Sequence, residues 1–139
     1  MVHSYWLLKT EPHTYHFSQL IQDKKTNWNG VRNFQARNYL KQAQVGDQAL
    51  IYHSGDDKAV IGLAEVIRAH YADPDPEKPG DWVQIDLAPV RAFARPIPLS
   101  EMKSQPCLKD LVLIKQSRLS VMPVSQPHFE LICHLGDQK

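Results

Sequence analysis

At 139 residues the chain has the length of one ordinary domain, enough to bury a core without disulfide or metal staples. Its 16 Lys+Arg against 15 Asp+Glu leave a formal charge of +1, so net charge points to no partner, and the sequence has no strongly basic tail. No apolar run approaches the roughly 20 residues that cross a bilayer, and Met1 to Trp6 lack the charged and then apolar pattern of a secretion leader, so a soluble protein is expected. Cys107 and Cys133 have no CxxC spacing and read as buried small hydrophobes of a reducing compartment.

Tyr5 to Leu8 form a first β-prone run, closed by Lys9-Thr10-Glu11-Pro12. From Thr14 to about Lys24, Phe17, Leu20 and Ile21 fall at helical spacing, with Ser or Thr expected near the helix start. Asn27 to Asn33 reads as a loop by its Asn and Gly content, and Asn33 can cap a second helix carrying Phe34, Ala36, Tyr39, Leu40 and Ala43. Strands are predicted over 49–54, 59–71 and 82–97, with Ser54-Gly55-Asp56-Asp57 as a hairpin loop. Residues 72–81 hold three prolines, Gly80 and four acids, and read as an exposed loop without core role or function. Short helical pieces near 99–103 and 108–115, a strand over Arg118-Leu119-Ser120-Val121 and a terminal helix over 127–135 ended by Gly136 complete the chain. The pattern is α+β, with sequential hairpin-like strands that suit a small barrel with flanking helices, and no internal repeat or inter-domain linker.

Four separated motifs sharpen this reading. Trp6-Leu7-Leu8-Lys9-Thr10-Glu11-Pro12, Trp28-Asn29-Gly30-Val31-Arg32-Asn33-Phe34-Gln35-Ala36-Arg37-Asn38, Tyr52-His53-Ser54 and Arg118-Leu119-Ser120-Val121-Met122-Pro123 together resemble the EVE domain, a member of the PUA-like superfamily related to the YTH readers. The resemblance covers nearly the whole chain and implies one EVE domain over 1–139. It implies a PUA-like small mixed β-barrel of five to six strands, its open mouth holding a pocket for an extruded base. It also implies a non-enzymatic module whose partner is a nucleic acid, modified cytosine in DNA before a methylated base in RNA, with no cofactor, no metal and no membrane. A monomer is expected, cytoplasmic, nucleoid-associated in a bacterium and nuclear in a eukaryote.

Such a pocket needs aromatics that stack on the base, polar groups that read its edge, and cations that hold the phosphates. Trp28 is the leading aromatic, since a polar loop offers its ring no periodic core partner; Trp82 is a candidate second wall, and Trp6 reads as core. Asn33, Tyr52, His53, Ser54 and Ser120 are the candidate edge readers, with Val31 and Leu119 as apolar walls. Residues 24–46 contain Lys24, Lys25, Arg32, Arg37 and Lys41 and no acid, so Lys9, Arg32, Arg37, Lys41 and Arg118 are the expected phosphate contacts, although Lys9 can instead pair with Glu11. Asn29 stands where the family commonly has Asp, which removes a charge repelling phosphate. An RNA-processing enzyme of the related ASCH type, using His53 with Lys9, Glu11 or Ser54, and a small-molecule or protein-binding module are the alternatives. Against catalysis, the seven histidines show neither HxH nor HExxH spacing.

Overall fold

The computed structural model describes residues 3–138. The elements are β1 (Tyr5–Thr10), α1 (Phe17–Asp23), β2 (Thr26–Trp28), α2 (Phe34–Leu40), β3 (Gln48–His53), β4 (Ala59–Ala72), β5 (Val83–Pro98), α3 (Leu99–Ser104), a 3₁₀ turn (Pro106–Leu108), α4 (Val112–Lys115), β6 (Val121–Val124) and α5 (Gln126–Gly136). The strands form one six-stranded sheet in the order β2-β5-β4-β3-β1-β6, in which β1 and β3 are parallel and the other pairs antiparallel. A parallel neighbour cannot be reached by a tight turn. The β1-to-β3 crossover therefore carries α1, β2 and α2.

β4 and β5 are 14 and 16 residues long, and their ladder shifts register four times, at Val60/Gly62, Leu63/Ala64, Val66/Arg68 and Arg68/Tyr71. Bulges bend and twist a ribbon, and Pro89 sits at one of them, where no N–H is required. Gly62 lets α1 approach this bend. A Cβ there would lie 2.6 Å from the Phe17 ring and 2.9 Å from the Arg91 carbonyl, so a side chain is excluded by packing.

The core runs through every strand, with Leu7, Leu20, Leu40, Leu50, Val60, Leu87, Ile97, Met122 and Ile132 fully buried. Trp6 belongs to it as expected, its indole N–H donating to the buried Asp47 at 2.9 Å, while the amides of Ser4 and Gln44 satisfy the same carboxylate. The two ends of the sheet, β2 and β6, are not paired with each other among the described residues. Nevertheless Trp28 of β2 and Ser120, next to β6, line one cavity, so the sheet is rolled until its edges face each other, as an open barrel. α2 packs against both β5 and β6 across that opening.

Several local expectations change. α1 starts at Phe17 rather than Thr14 because His16 is its cap, Nδ1 accepting the Ser18 N–H at 3.1 Å. The supposed loop at Asn27 contains β2, and the last strand lies three residues beyond Arg118–Val121, at Val121–Val124. Cys107 is exposed and Cys133 half-buried, against the expected burial of both, and burial pushes the Cys133 thiol up to about 11. No helix is long and apolar enough to cross a membrane.

Candidate nucleic-acid interface

The mouth of the open barrel holds a cavity of about 490 Å³, in the range of small-molecule sites, walled by four stretches of chain. Lys9, Thr10 and Glu11 close β1; Thr14 and Tyr15 lead into α1; Thr26 to Arg32 run from β2 to the foot of α2; Ser120 enters from beside β6. β2 is what positions Trp28. Its three residues pair with Leu87, Asp86 and Ile85 of β5, a ladder extended at the side-chain level by the Asn27 amide, which donates to Gln84 at 3.0 Å.

Trp28 is therefore not a free loop aromatic. It is 8% exposed and packs edge-on against Tyr15, with ring centroids 6.3 Å apart and planes at 85°. Its indole N–H finds no acceptor among the described residues, yet it is not among buried polar atoms without a partner, because there are none. The N–H is therefore solvent-accessible, an available donor on a residue that lines the cavity. Tyr15 is fixed from both sides: Thr10 Oγ1 donates to its carbonyl at 2.9 Å and its hydroxyl meets Asp23 Oδ2 at 3.2 Å.

The lip of the cavity is held by the loop between β4 and β5. Gly30 has φ +82°, a left-handed conformation that glycine adopts without strain, and its N–H donates to Asp73 Oδ2 at 2.9 Å. Arg32 donates through Nη1 to the same oxygen at 2.9 Å and through Nε to Asp75 Oδ2 at 3.0 Å, and Lys78 Nζ reaches the Arg32 carbonyl at 3.2 Å. Burial would raise the Asp73 pKa, but the Arg32 and Gly30 hydrogen bonds outweigh it and hold the carboxyl below its ordinary value; Asp75 is lowered chiefly by Arg32. The acid- and proline-rich loop thus has a role that its sequence did not disclose, which is to clamp the segment from Gly30 to Arg32.

The fourteen predicted residues separate into distinct groups. Trp28, Val31, Ser120, Lys9 and Arg32 line the cavity. Asn33, Leu119 and Arg118 line a second, shallower hollow of about 320 Å³ together with Gln35, Gln116 and Ser117. Asn33 is also the cap of α2, its Oδ1 accepting the Ala36 N–H at 2.9 Å. Lys9 joins the two hollows, since its ammonium donates to the Ser117 carbonyl at 2.6 Å, and burial lowers its pKa. Lys9 thus does not pair with Glu11.

Tyr52, His53 and Ser54 stand behind the wall. Tyr52 is 4% exposed under the Lys9 ammonium, 5.7 Å from its ring centroid, while Ser54 binds the Thr10 carbonyl through N–H at 2.9 Å and hydroxyl at 3.3 Å. His53 is fully buried because β3 turns it toward α1, where Nε2 accepts the Phe17 N–H at 3.1 Å. Trp82 is buried too, and the cavity lining does not include it; its N–H donates to the Lys78 carbonyl at 2.8 Å and its ring stacks on Phe34. Lys41 is paired with Asp81, whereas Arg37 bonds only the Asn38 amide oxygen among the described residues. Sequence reasoning missed Tyr15, Thr14, Thr26 and Asn27 as cavity residues; the one available signal was the threonine and glutamate of the first motif, Thr10 and Glu11.

His16, His53 and Asp57 bring ligand-type atoms within 4.8 Å of one another. Hydrogen bonds within the protein account for this cluster without a metal. Because His53 Nε2 accepts from Phe17, its proton sits on Nδ1 facing Asp57 Oδ2 at 3.2 Å, and His16 Nδ1 is occupied by the helix cap. A metal on Nδ1 would push that proton onto Nε2, against the Phe17 N–H. Burial lowers the His53 pKa, with the Asp57 bond opposing the shift.

Comparison with known proteins places this geometry. The EVE domain family matches residues 4–135. Human thymocyte nuclear protein 1 is 33% identical over 171 residues, spanning 98% of this chain and 75% of that protein. Among solved structures, a hypothetical protein from Leishmania major superposes with a TM-score of 0.93 at 36% identity, covering 98% of this chain and 96% of that one. Human THYN1 in complex with 5-methylcytosine-containing DNA superposes with a TM-score of 0.88 at 32% identity, covering 98% and 99%. The YTH domain of Zygosaccharomyces rouxii MRB1, solved with N6-methyladenosine RNA, shares the fold at a TM-score of 0.65 and 14% identity, covering 99% and 86%.

Proposed function

This chain belongs to the EVE domain family, and on that footing we propose that it binds nucleic acid by taking one modified base, a modified cytosine of DNA in preference to a methylated base of RNA, into the cavity walled by Trp28 and Tyr15. The observation that carries the reading is the solvent-accessible, unbonded Trp28 N–H on the wall of a polar-rimmed cavity, in a chain 32% identical to a protein solved with 5-methylcytosine-containing DNA. An extruded base gives up a few kcal/mol of stacking and pairing. Stacking on one aromatic returns roughly 1–3 kcal/mol, and edge contacts must supply the rest.

The cavity has the groups for those contacts. Glu11 is a carboxylate suited to the cytosine exocyclic amine, and the Trp28 N–H is a donor for a ring nitrogen or carbonyl. Ser120, Thr10, Thr14 and Thr26 add hydroxyls. Val31 offers apolar surface to a methyl group, whose burial contributes about 0.8 kcal/mol, or roughly fourfold in affinity. Arg118, Arg37 and the half-buried Lys9 are the cations nearest to hand for the flanking phosphates, since Arg32 and Lys41 already answer to acids. In this reading the module is non-enzymatic, because extrusion and recognition require only binding groups, and His53 is committed to holding α1.

The test is fluorescence anisotropy with matched oligonucleotides carrying cytosine, 5-methylcytosine, 5-hydroxymethylcytosine, adenine or N6-methyladenine, as DNA and RNA, at two salt concentrations. A preference of about fourfold or more for one modified cytosine in DNA, lost in Glu11→Ala and Trp28→Phe, is expected. Equal binding of every oligonucleotide overturns the reading.

A further inference from the structure

Phe34, the first residue of α2, is 63% exposed, the most exposed of the large hydrophobic side chains among the described residues. It is also fixed in place. One face lies on Trp82, with centroids 5.2 Å apart and planes at 21°, and Trp82 is itself held through its N–H. The Arg37 guanidinium is 5.0 Å from the Phe34 centroid and 5.8 Å from that of Trp82. These two distances and the 5.2 Å between the rings make a nearly equilateral triangle, so Arg37 is not opposite Trp82 across Phe34, and the 63% exposure of Phe34 lies on the side that Trp82 does not cover. A large ring with a rigid backing, an exposed side and a cation beside it without an acidic partner is a stacking platform next to a phosphate contact. It stands two residues from Arg32 on the cavity lip, and its chain neighbours Asn33 and Gln35 line the adjoining hollow.

We propose that the outer face of Phe34 stacks on the nucleobase next to the extruded one, with Arg37 on the intervening phosphate. This rests on the base-binding reading above and assigns the flanking-nucleotide subsite of the same interface. Extrusion removes a stacking neighbour from the base that stays behind, and the platform lies where that base would be left bare. Arg32 and Lys41 are answered by Asp73, Asp75 and Asp81, whereas the Arg37 guanidinium beside Phe34 bonds only the Asn38 amide oxygen among the described residues, and this free cation favours a phosphate-bearing nucleotide over an apolar protein segment. Stacking tolerates any base, so Phe34 contributes affinity and not discrimination.

The experiment measures affinity of the full chain and of Phe34→Ala, Phe34→Leu and Phe34→Tyr for a duplex with one central 5-methylcytosine and for its unmodified twin. A third duplex carries 2-aminopurine beside the central cytosine. Phe34→Ala and Phe34→Leu are expected to lose about 5- to 100-fold on both duplexes alike, with Phe34→Tyr near wild type and the methyl preference intact. The 2-aminopurine emission should change on binding wild type and not on binding Phe34→Leu. Wild-type affinity in Phe34→Ala overturns the platform while leaving a methyl preference, and hence the base-binding reading, in place. Loss of affinity in Phe34→Ala without any methyl preference in wild type keeps the platform and overturns that reading, and a wild type that binds none of the duplexes overturns both.

Discussion

Trp28 and Trp82 are both candidate walls of the pocket in the sequence, each beside a polar segment with a nearby glycine and each with cations close by. Their surroundings in the fold are opposite. Trp82 is closed on itself, its N–H given to the Lys78 carbonyl, its face to Phe34, and its flanks to Arg32, Arg37 and Lys78. Trp28 is pinned by backbone pairing and by the Tyr15 edge, with its N–H left over for the cavity. An aromatic becomes a candidate recognition group when its polar atom stays unanswered, and a support when every part of it is answered.

The largest effect should separate the two rings. Trp28→Ala empties a buried site and is expected to cost about 3–5 kcal/mol of stability and at least thirtyfold in oligonucleotide affinity, measured by denaturant unfolding and anisotropy. Trp28→Phe keeps most of the volume and loses the donor, costing about 1 kcal/mol in affinity, roughly fivefold. Trp82→Phe also loses about 1 kcal/mol of stability by orphaning the Lys78 carbonyl, yet should leave affinity within about twofold, because a ring still backs Phe34. Equal losses of affinity in the two Phe variants would dissolve the distinction. A smaller effect comes from the clamp that the two tryptophans share. Asp73→Ala releases the Gly30 N–H and one Arg32 bond, and a stability loss of about 1–2 kcal/mol is expected with a comparable drop in affinity.

The smallest effect probes the anchor behind Tyr15. His53 has a native pKa below its ordinary value of about 6.5, so the unfolded chain binds more protons than the native one as pH falls past that point. The His53 contribution is complete above about pH 6.5 and is lost as pH drops through that value toward the native pKa. The melting temperature of wild type should therefore fall more steeply between pH 7.5 and 5.5 than that of His53→Gln, whose side-chain oxygen can still accept from Phe17.

The sequence disclosed what periodicity and local chemistry control: β1, the Asn33 cap of α2, β3 and the terminal helix all stand within a residue or two of expectation. What it hid was made at long range. β2 is only three residues of Asn-rich chain and becomes a strand because β5 lies beside it, nearly sixty residues on. β6 was placed three residues too early; it runs through Pro123, whose missing N–H costs no ladder bond on the edge of the sheet. The same limit applied to the site. Tyr52, His53 and Ser54 were all candidate edge readers, but His53 is turned to the start of α1 and all three lie behind the wall. Asp73 and Asp75 looked like solvent-loop acids until the fold set them on Arg32.

The unpaired edges of the rolled sheet carry a thermodynamic consequence. In a sealed barrel a hydrogen-bonded ladder would join β2 to the β1–β6 side, whereas here a molecule in the cavity would touch both margins and take over that bridging. Occupancy and folding are then linked, and a ligand at a hundred times its dissociation constant adds about 2.7 kcal/mol. For a chain of this length that is a melting shift of roughly 5–10 °C. Thermal melts against a panel of modified nucleosides and short oligonucleotides would thus rank ligands by the heat needed to part the two edges.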